Sequence, residues 1–162
     1  MALKMILELD SVKGESQVKG NEGKIDIDSY ALDFHQSGTF HRGSGGGGGN
    51  VSVGDLVLSK KLDKASADLV KKVCGGKHYK SAKLTVLKST GDGMEVYYTI
   101  TLTDCIVSSY TIGGGSDGQD YINENFSLNF RNIATQYMVQ DAGGILADGG
   151  SMEFNVATNE LA

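Results

Sequence analysis

Apolar residues recur at every second position through most of this 162-residue chain, a period that restricts it to strands with one buried face. Leu3, Met5, Leu7 and Leu9 share one parity, with Lys4 and Glu8 opposite. The alternation returns in Ala82, Leu84 and Val86, and after a Gly91-Asp92-Gly93 turn in Val96, Tyr98, Ile100 and Leu102, which together read as a hairpin. A further strand runs from Cys105 to Ile112. Others are centred on Phe126, Leu128 and Phe130, on Tyr137 and Val139, and on Met152, Phe154 and Val156. Twice the parity slips: Ile25 and Ile27 give way to Tyr30, Leu32 and Phe34 at Asp28-Ser29, and Val51 and Val53 to Leu56 and Leu58 at Gly54-Asp55. An inserted residue in a strand, a β-bulge, does this and bends the sheet. Eight to ten bent strands without internal repeats predict an all-β barrel.

One helix interrupts the pattern. Over 66–74, Ser66 reads as an N-cap, Asp68 lies in the first turn, and Leu69, Val70, Val73 and Cys74 form an apolar stripe. Gly75-Gly76 ends it, and Lys71, Lys72 and Lys77 suit the negative end of its dipole. A chain of this length forms one domain, 1–162, without room for a second core. Its 23 glycines come with no proline, so strand edges lack the usual proline guards and are expected to be satisfied by other copies of the chain. Five of the glycines, Gly45 to Gly49, are consecutive. Such a run costs much ordering entropy and offers no side chain for chemistry, so its order must come from neighbours.

The function classes that remain are few. The net charge is −5, and no lysine or arginine run interleaves with aromatics, which argues against a nucleic-acid groove. No stretch is long enough to span a bilayer, and Met1 to Asp10 alternates charged with apolar residues, unlike the core of a cleavable signal peptide. Cys74 and Cys105 lack the close partner of a zinc or redox site and read as reduced, partly buried thiols. The run Gly45 to Gly49 leads into a strand at Asn50-Val51, with no Lys-Ser/Thr and no helix to cradle phosphate. Gly114-Gly115-Ser116-Asp117-Gly118 matches a nucleophile-elbow spacing, but a strand follows it and no histidine lies beyond His78. His35, His41 and His78 share no metal-ligand spacing, and Asp117, Asp120 and Glu124 fit no calcium loop. Asp26, Asp28 and Asp33 read as solvated charges, since nothing local would raise a carboxyl pKa for glycoside hydrolysis. No catalytic residue, cofactor or metal is expected.

An ordered string of short motifs carries more. It runs Val12-Lys13-Gly14-Glu15-Ser16, Ile25-Asp26, Gln36-Ser37-Gly38, His41 before the glycine run, Val53, Asp55-Leu56 and Asp63-Lys64. It continues with Gly76-Lys77-His78-Tyr79, Ala82-x-Leu84-Thr85, Ile100-Thr101-Leu102, Val107-Ser108-Ser109, Glu124-Asn125 and Leu128-Asn129-Phe130. From Met1 to about Phe130 the chain resembles the haemolysin-coregulated protein (Hcp) family, the inner-tube protein of bacterial type VI secretion.

The resemblance implies a barrel of two sheets flanked by one short helix, closing as a homohexameric ring and stacking into a tube. It implies as partners secreted effector proteins, a contractile sheath, and tip or baseplate proteins. It also implies synthesis in the bacterial cytoplasm and export to the medium or a target cell. The arm that meets a neighbouring ring or subunit would hold Gln36, Ser37, Gly38, His41, Arg42, Gly45, Gly46, Gly47, Gly48, Gly49 and Asn50. On the strand Tyr30 to Phe34, Ala31 and Asp33 alternate with the apolar side chains, and the family architecture turns them to the tube lumen, toward effectors. Three rivals stay open: a tail-tube protein of a phage-like contractile particle, a serine hydrolase using Ser116, and a monomeric carbohydrate-binding β-sandwich, which the absence of tryptophan disfavours.

Overall fold

The computed structural model describes residues 3–38, 41, 43, 49–91 and 93–162. The first strands are β1 (Leu3–Leu9), β2 (Ile25–Ile27), β3 (Ser29–Ala31), β4 (Phe34–His35), β5 (Ser52–Val53) and β6 (Leu56–Lys61). After the single helix α1 (Ser66–Gly75) come β7 (His78–Thr90), β8 (Gly93–Gly113), β9 (Asn123–Gln140), β10 (Leu146–Asn155) and β11 (Glu160–Leu161). Nine strands share one antiparallel sheet in the order β11-β10-β9-β8-β7-β1-β2, with β6 joined through β9 and β3 through β6. β4 and β5 form a separate two-stranded sheet.

The expected barrel is corrected here: the chain is mostly β with one short helix and two sheets, but neither sheet closes. The seam lies at Asp28. Ile25 and Ile27 pair with β1, whereas Ser29, Tyr30 and Ala31 pair with β6, so the chain hands over from one partner to another. The Asp28 N–H, donating to Ser59 O at 2.8 Å, bridges the gap. The parity slip at Asp28-Ser29 is thus a change of partner and not a bulge. The slip at Gly54-Asp55 has the same cause, since β5 pairs with β4 and β6 with β3 and β9.

The sheet curls along one line. On β7 the buried residues jump from Tyr79 to Ala82, on β8 from Leu102 to Cys105, and on β9 from Phe130 to Ile133. These jumps of three lie side by side, because Tyr79 pairs with Cys105 and Cys105 with Phe130, while Ala82 pairs with Leu102 and Leu102 with Ile133. Lys80, Asp104 and Arg131 are the positions the ladders skip. A strand exchanges its inner and outer faces when its period breaks by one, and three strands breaking together fold the sheet over without losing register. Asp104 adopts the left-handed conformation at φ 53°, which aspartate tolerates better than most non-glycine residues. The Val96–Leu102 and Cys105–Ile112 segments, read as separate strands from the sequence, are one strand bent at this residue.

One core fills the fold. Leu7, Leu9, Ile25, Leu56, Leu58 and Leu84 meet Ile100, Leu102, Phe126, Leu128 and Ile133 there, all 2% exposed or less. Leu3, expected on the same inner face as Leu7 and Leu9, is 47% exposed because it lies at the open end of β1. Burial pushes the Cys105 thiol up to about 11, which keeps it protonated and unreactive. Cys74, expected partly buried, is exposed on α1.

If the left-handed turn at Asp104 permits the fold-over, a β-branched residue there should destabilise and glycine should not. Asp104→Val is expected to cost about 1–2 kcal/mol. Asp104→Gly should stay within about 0.5 kcal/mol of wild type, both read from urea unfolding midpoints.

Candidate functional site

Three surfaces carry the functional question: the arm, the outer wall beside it, and the seat of the helix. The arm leaves the large sheet where β3 ends at Ala31 and returns through β5. Its stem is a two-stranded ribbon in which Phe34 faces Val53 and His35 faces Ser52. Gly54 closes the base. Its N–H donates to Asp33 O at 2.9 Å, and any Cβ at this position would collide with the Asp33 carboxylate. Beyond the ladder the two strands stay close, since a Cβ on Gly49 would lie 2.9 Å from Ser37 Oγ. Between the stem (Phe34, Gln36, Val51) and the C-terminal hairpin (Met152, Phe154, Leu161) runs an apolar cleft of about 370 Å³.

Gln36, Ser37, Gly38, His41, Gly49 and Asn50 are all exposed along the arm. Arg42, Gly45, Gly46, Gly47 and Gly48 lie outside the described residues. Ala31 and Asp33 do not share one continuous strand. Ala31 ends β3, while Asp33 lies between β3 and β4 with its Oδ2 2.6 Å from His35 Nε2.

Ala31 belongs to a row that crosses four strands, Ala31–Val57–Ser127–Ser109, next to a second row, Ser29–Ser59–Asn125–Thr111. Paired residues project from the same side of a sheet. A bulge between Val107 and Ser109 sets two serines, Ser108 and Ser109, against the single Ser127. Their hydroxyls lie 2.7 and 2.5 Å from Ser127 Oγ, and Ser108 donates to Asp55 Oδ2 at 2.6 Å. Asn129 Nδ2 donates to Asp55 Oδ1 at 2.8 Å. These rows make a wall of small side chains without a lysine or arginine. Asp55 was legible only as part of a motif, because its partners lie far off in sequence.

The helix seat was not legible as a site at all. Lys60, 0% exposed, extends the inward face of Leu56 and Leu58 and pairs in register with Glu124, also 0% exposed. Its ammonium lies 2.9 Å from Glu124 Oε2 and donates to Asp63 Oδ1 at 2.8 Å, Ser66 Oγ at 3.0 Å and the Lys61 carbonyl at 3.2 Å. Ser66 donates in turn to Glu124 Oε1. Hence Ser66 is not the N-cap expected of it. Ala65 occupies that position without a side-chain cap, and Asp63 Oδ1 accepts the Ala65 N–H at 2.9 Å instead. The Tyr110 hydroxyl is buried beside the cluster, and burial, then the nearby Glu124 carboxylate, pushes its pKa up to about 12. At the other end, Tyr79 donates to Asp68 Oδ2 at 2.6 Å, with burial first and Asp68 second raising its pKa. Gly76, left-handed at φ 62°, ends the helix as expected. The expected apolar stripe is only partly buried: Leu69 enters the core, while Val70, Val73 and Cys74 face outward.

Ser116 lies in an exposed turn between β8 and β9 with a strand after it. No group of three or more His, Cys, Asp or Glu among the described residues is placed to hold a metal. No helix among them is long and apolar enough to cross a membrane.

Comparison with known proteins gives consistent findings. A family profile described as "Type VI secretion system effector, Hcp" matches residues 6–137. "Protein hcp1" of Pseudomonas aeruginosa is 40% identical over 164 residues, spanning 100% of both chains. The crystal structure of Hcp1 from Salmonella typhimurium shares 30% identity at a TM-score of 0.81, again over 100% of each chain. A structure described as a type six secretion system protein superposes at a TM-score of 0.93 with 24% identity, covering 99% of this chain and 100% of that one, a likeness of fold.

Breaking the helix seat from one side should be costly. Lys60→Met leaves buried carboxylates unpaired and is expected to cost about 3–5 kcal/mol, whereas Lys60→Met with Glu124→Leu should recover most of the loss. A double-mutant cycle by urea unfolding checks it.

Proposed function

We propose, for a chain that belongs to the type VI secretion Hcp family, that six copies close into a ring and that rings stack into the tube that carries effectors out of the cell. The observation that carries this reading is the kinship, at 40% identity over 164 residues, with a relative that this chain matches along the whole of both sequences. The chain is a structural tube subunit and not an enzyme. It is made in the bacterial cytoplasm and leaves through the contractile machine, whose sheath surrounds the tube and whose tip and baseplate bound its ends. The unguarded strand edges and the absence of proline suit a closed ring, in which every copy offers the same two surfaces to its neighbours.

The wall of small residues around Ala31 supports its place on the lumen. Short neutral side chains at Ala31, Ser29, Ser59 and Ser109 leave a smooth, wettable face that holds varied cargo through many weak contacts. Asp33, at the base of the arm, adds a negative rim. The arm, from Gln36 to Asn50, reaches the next ring or the adjacent subunit, and glycine run Gly45–Gly49 lets it adapt to what it meets.

Native mass spectrometry should give a species of about 100 kDa, six copies of the 17.1 kDa chain. A persistent monomer at micromolar concentration contradicts the reading. Ala31→Arg should leave that ring intact and reduce co-purification of at least one lumen-bound effector. Loss of the ring would make Ala31 an interface residue, and unchanged retention of every effector would remove it from the cargo wall. Replacing Gly45 to Gly49 with alanines should leave thermal unfolding of the isolated ring nearly unchanged while impairing tube formation and secretion; an unfolded subunit would show that the arm is part of the fold.

A further inference from the structure

Charge is divided unevenly along this acidic chain. Residues 60–83 hold eight lysines against two acids, Asp63 and Asp68. Both acids are engaged internally, Asp63 by Lys60 and Asp68 by the Tyr79 hydroxyl. Apart from Lys60, none of these lysines has its ammonium paired with a carboxylate among the described residues, although the Lys64 backbone N–H donates to Glu15 Oε2 at 3.3 Å, and Lys61, Lys64, Lys71, Lys77 and Lys80 are exposed around α1. The opposite holds at the C-terminus. Residues 132–162 contain Asp141, Asp148, Glu153 and Glu160 and no Lys, Arg or His, and all four acids are exposed.

Each region has an apolar centre. Around α1, Leu62 is 47% and Val70 37% exposed; on the C-terminal hairpin, Ile145 is 68% and Leu161 74% exposed. The hairpin also offers backbone. β11 pairs only with Phe154 and Asn155, so from Leu146 to Met152 the outer edge of β10 has no strand partner among the described residues. The two regions lie on opposite sides of the Lys80–Asp104–Arg131 line: α1 is seated against Tyr79 and Glu124, while β10 pairs with Asn132 to Gln140. They are unlike in sign and shape, so neither can mate with itself across a two-fold axis. They complement each other instead, as the two halves of a heterologous contact do.

We propose that the lysine-rich helix flank of one copy docks on the acidic C-terminal hairpin of the next, and that this contact, repeated, closes the ring. The proposal rests on the ring reading above and names the surfaces that form it. Since both rims are exposed, salt screens the attraction, with a Debye length of about 10 Å at 0.1 M.

Two charge reversals test it. Lys64→Glu, Lys71→Glu, Lys77→Glu and Lys80→Glu together leave four lysines against six acids in residues 60–83 and make both surfaces acidic, and Asp141→Lys, Asp148→Lys, Glu153→Lys and Glu160→Lys together make both basic. Each variant alone should run as a monomer of 17.1 kDa by native mass spectrometry at micromolar concentration. Mixed in equal amounts, they should form rings that alternate the two chains, since each reversed flank then meets a reversed hairpin. A wild-type ring with either variant still ringed at the same mass overturns this contact and leaves the ring reading standing. Separate monomers that fail to combine on mixing also overturn it. A monomeric wild type overturns both. Circular dichroism reports whether a reversal unfolds the chain, in which case Lys71→Gln with Lys77→Gln, and Glu153→Gln with Glu160→Gln, take its place. Each should lower the salt concentration at which the ring dissociates, and an unchanged salt midpoint overturns the contact.

Discussion

The Lys60 ammonium is where separate parts of the chain are fastened together. Strand β6 brings it, the turn at Asp63 and the first residue of α1 coordinate it, and Glu124 at the start of β9 neutralises it from across the sheet. Burying these charges carries a desolvation cost that an apolar set of the same volume would avoid, so the cluster is best understood as fixing geometry and not as adding stability. What it fixes is the helix. With Ser66 held to Glu124 at one end and Asp68 to Tyr79 at the other, α1 cannot slide on β8, and its lysines and outward valines stay at set positions on the surface.

The second constraint is the fold-over at Lys80, Asp104 and Arg131. Because three neighbouring strands exchange faces on one line, a single antiparallel sheet wraps a core without needing a closed ladder. The wrapping separates the surfaces. The small-residue wall of β3, β6, β9 and β8 lies on one stretch, the arm stem and C-terminal hairpin on another, and the helix on a third. In the proposed ring, that separation would let cargo, ring neighbours and stacked rings each meet a different part of the same small protein.

Much of this was legible in the sequence, and the misreadings are instructive. The alternating strands, the helix and the Gly76 stop are all local patterns, and the structure keeps them. The slips at Asp28-Ser29 and Gly54-Asp55 were also visible, but local pattern cannot distinguish a bulge from a change of strand partner. Ser66 looked like a cap because caps favour serine, and only the tertiary arrangement shows its hydroxyl recruited by Glu124. The Lys60–Glu124 pair did leave a signal: Lys60 continues the inward parity of Leu56 and Leu58, and Glu124 that of Phe126 and Leu128, so two opposite charges face the core from facing strands. The lumen position expected of Ala31 rests on family architecture, because the face of a strand that meets a lumen is a property of the assembly and not of one chain.

The most direct measurement of the central claim is negative-stain electron microscopy of the purified chain. Class averages should show closed rings with six-fold symmetry around an open centre. Compact particles with no central opening, or rings of another symmetry, would contradict the account.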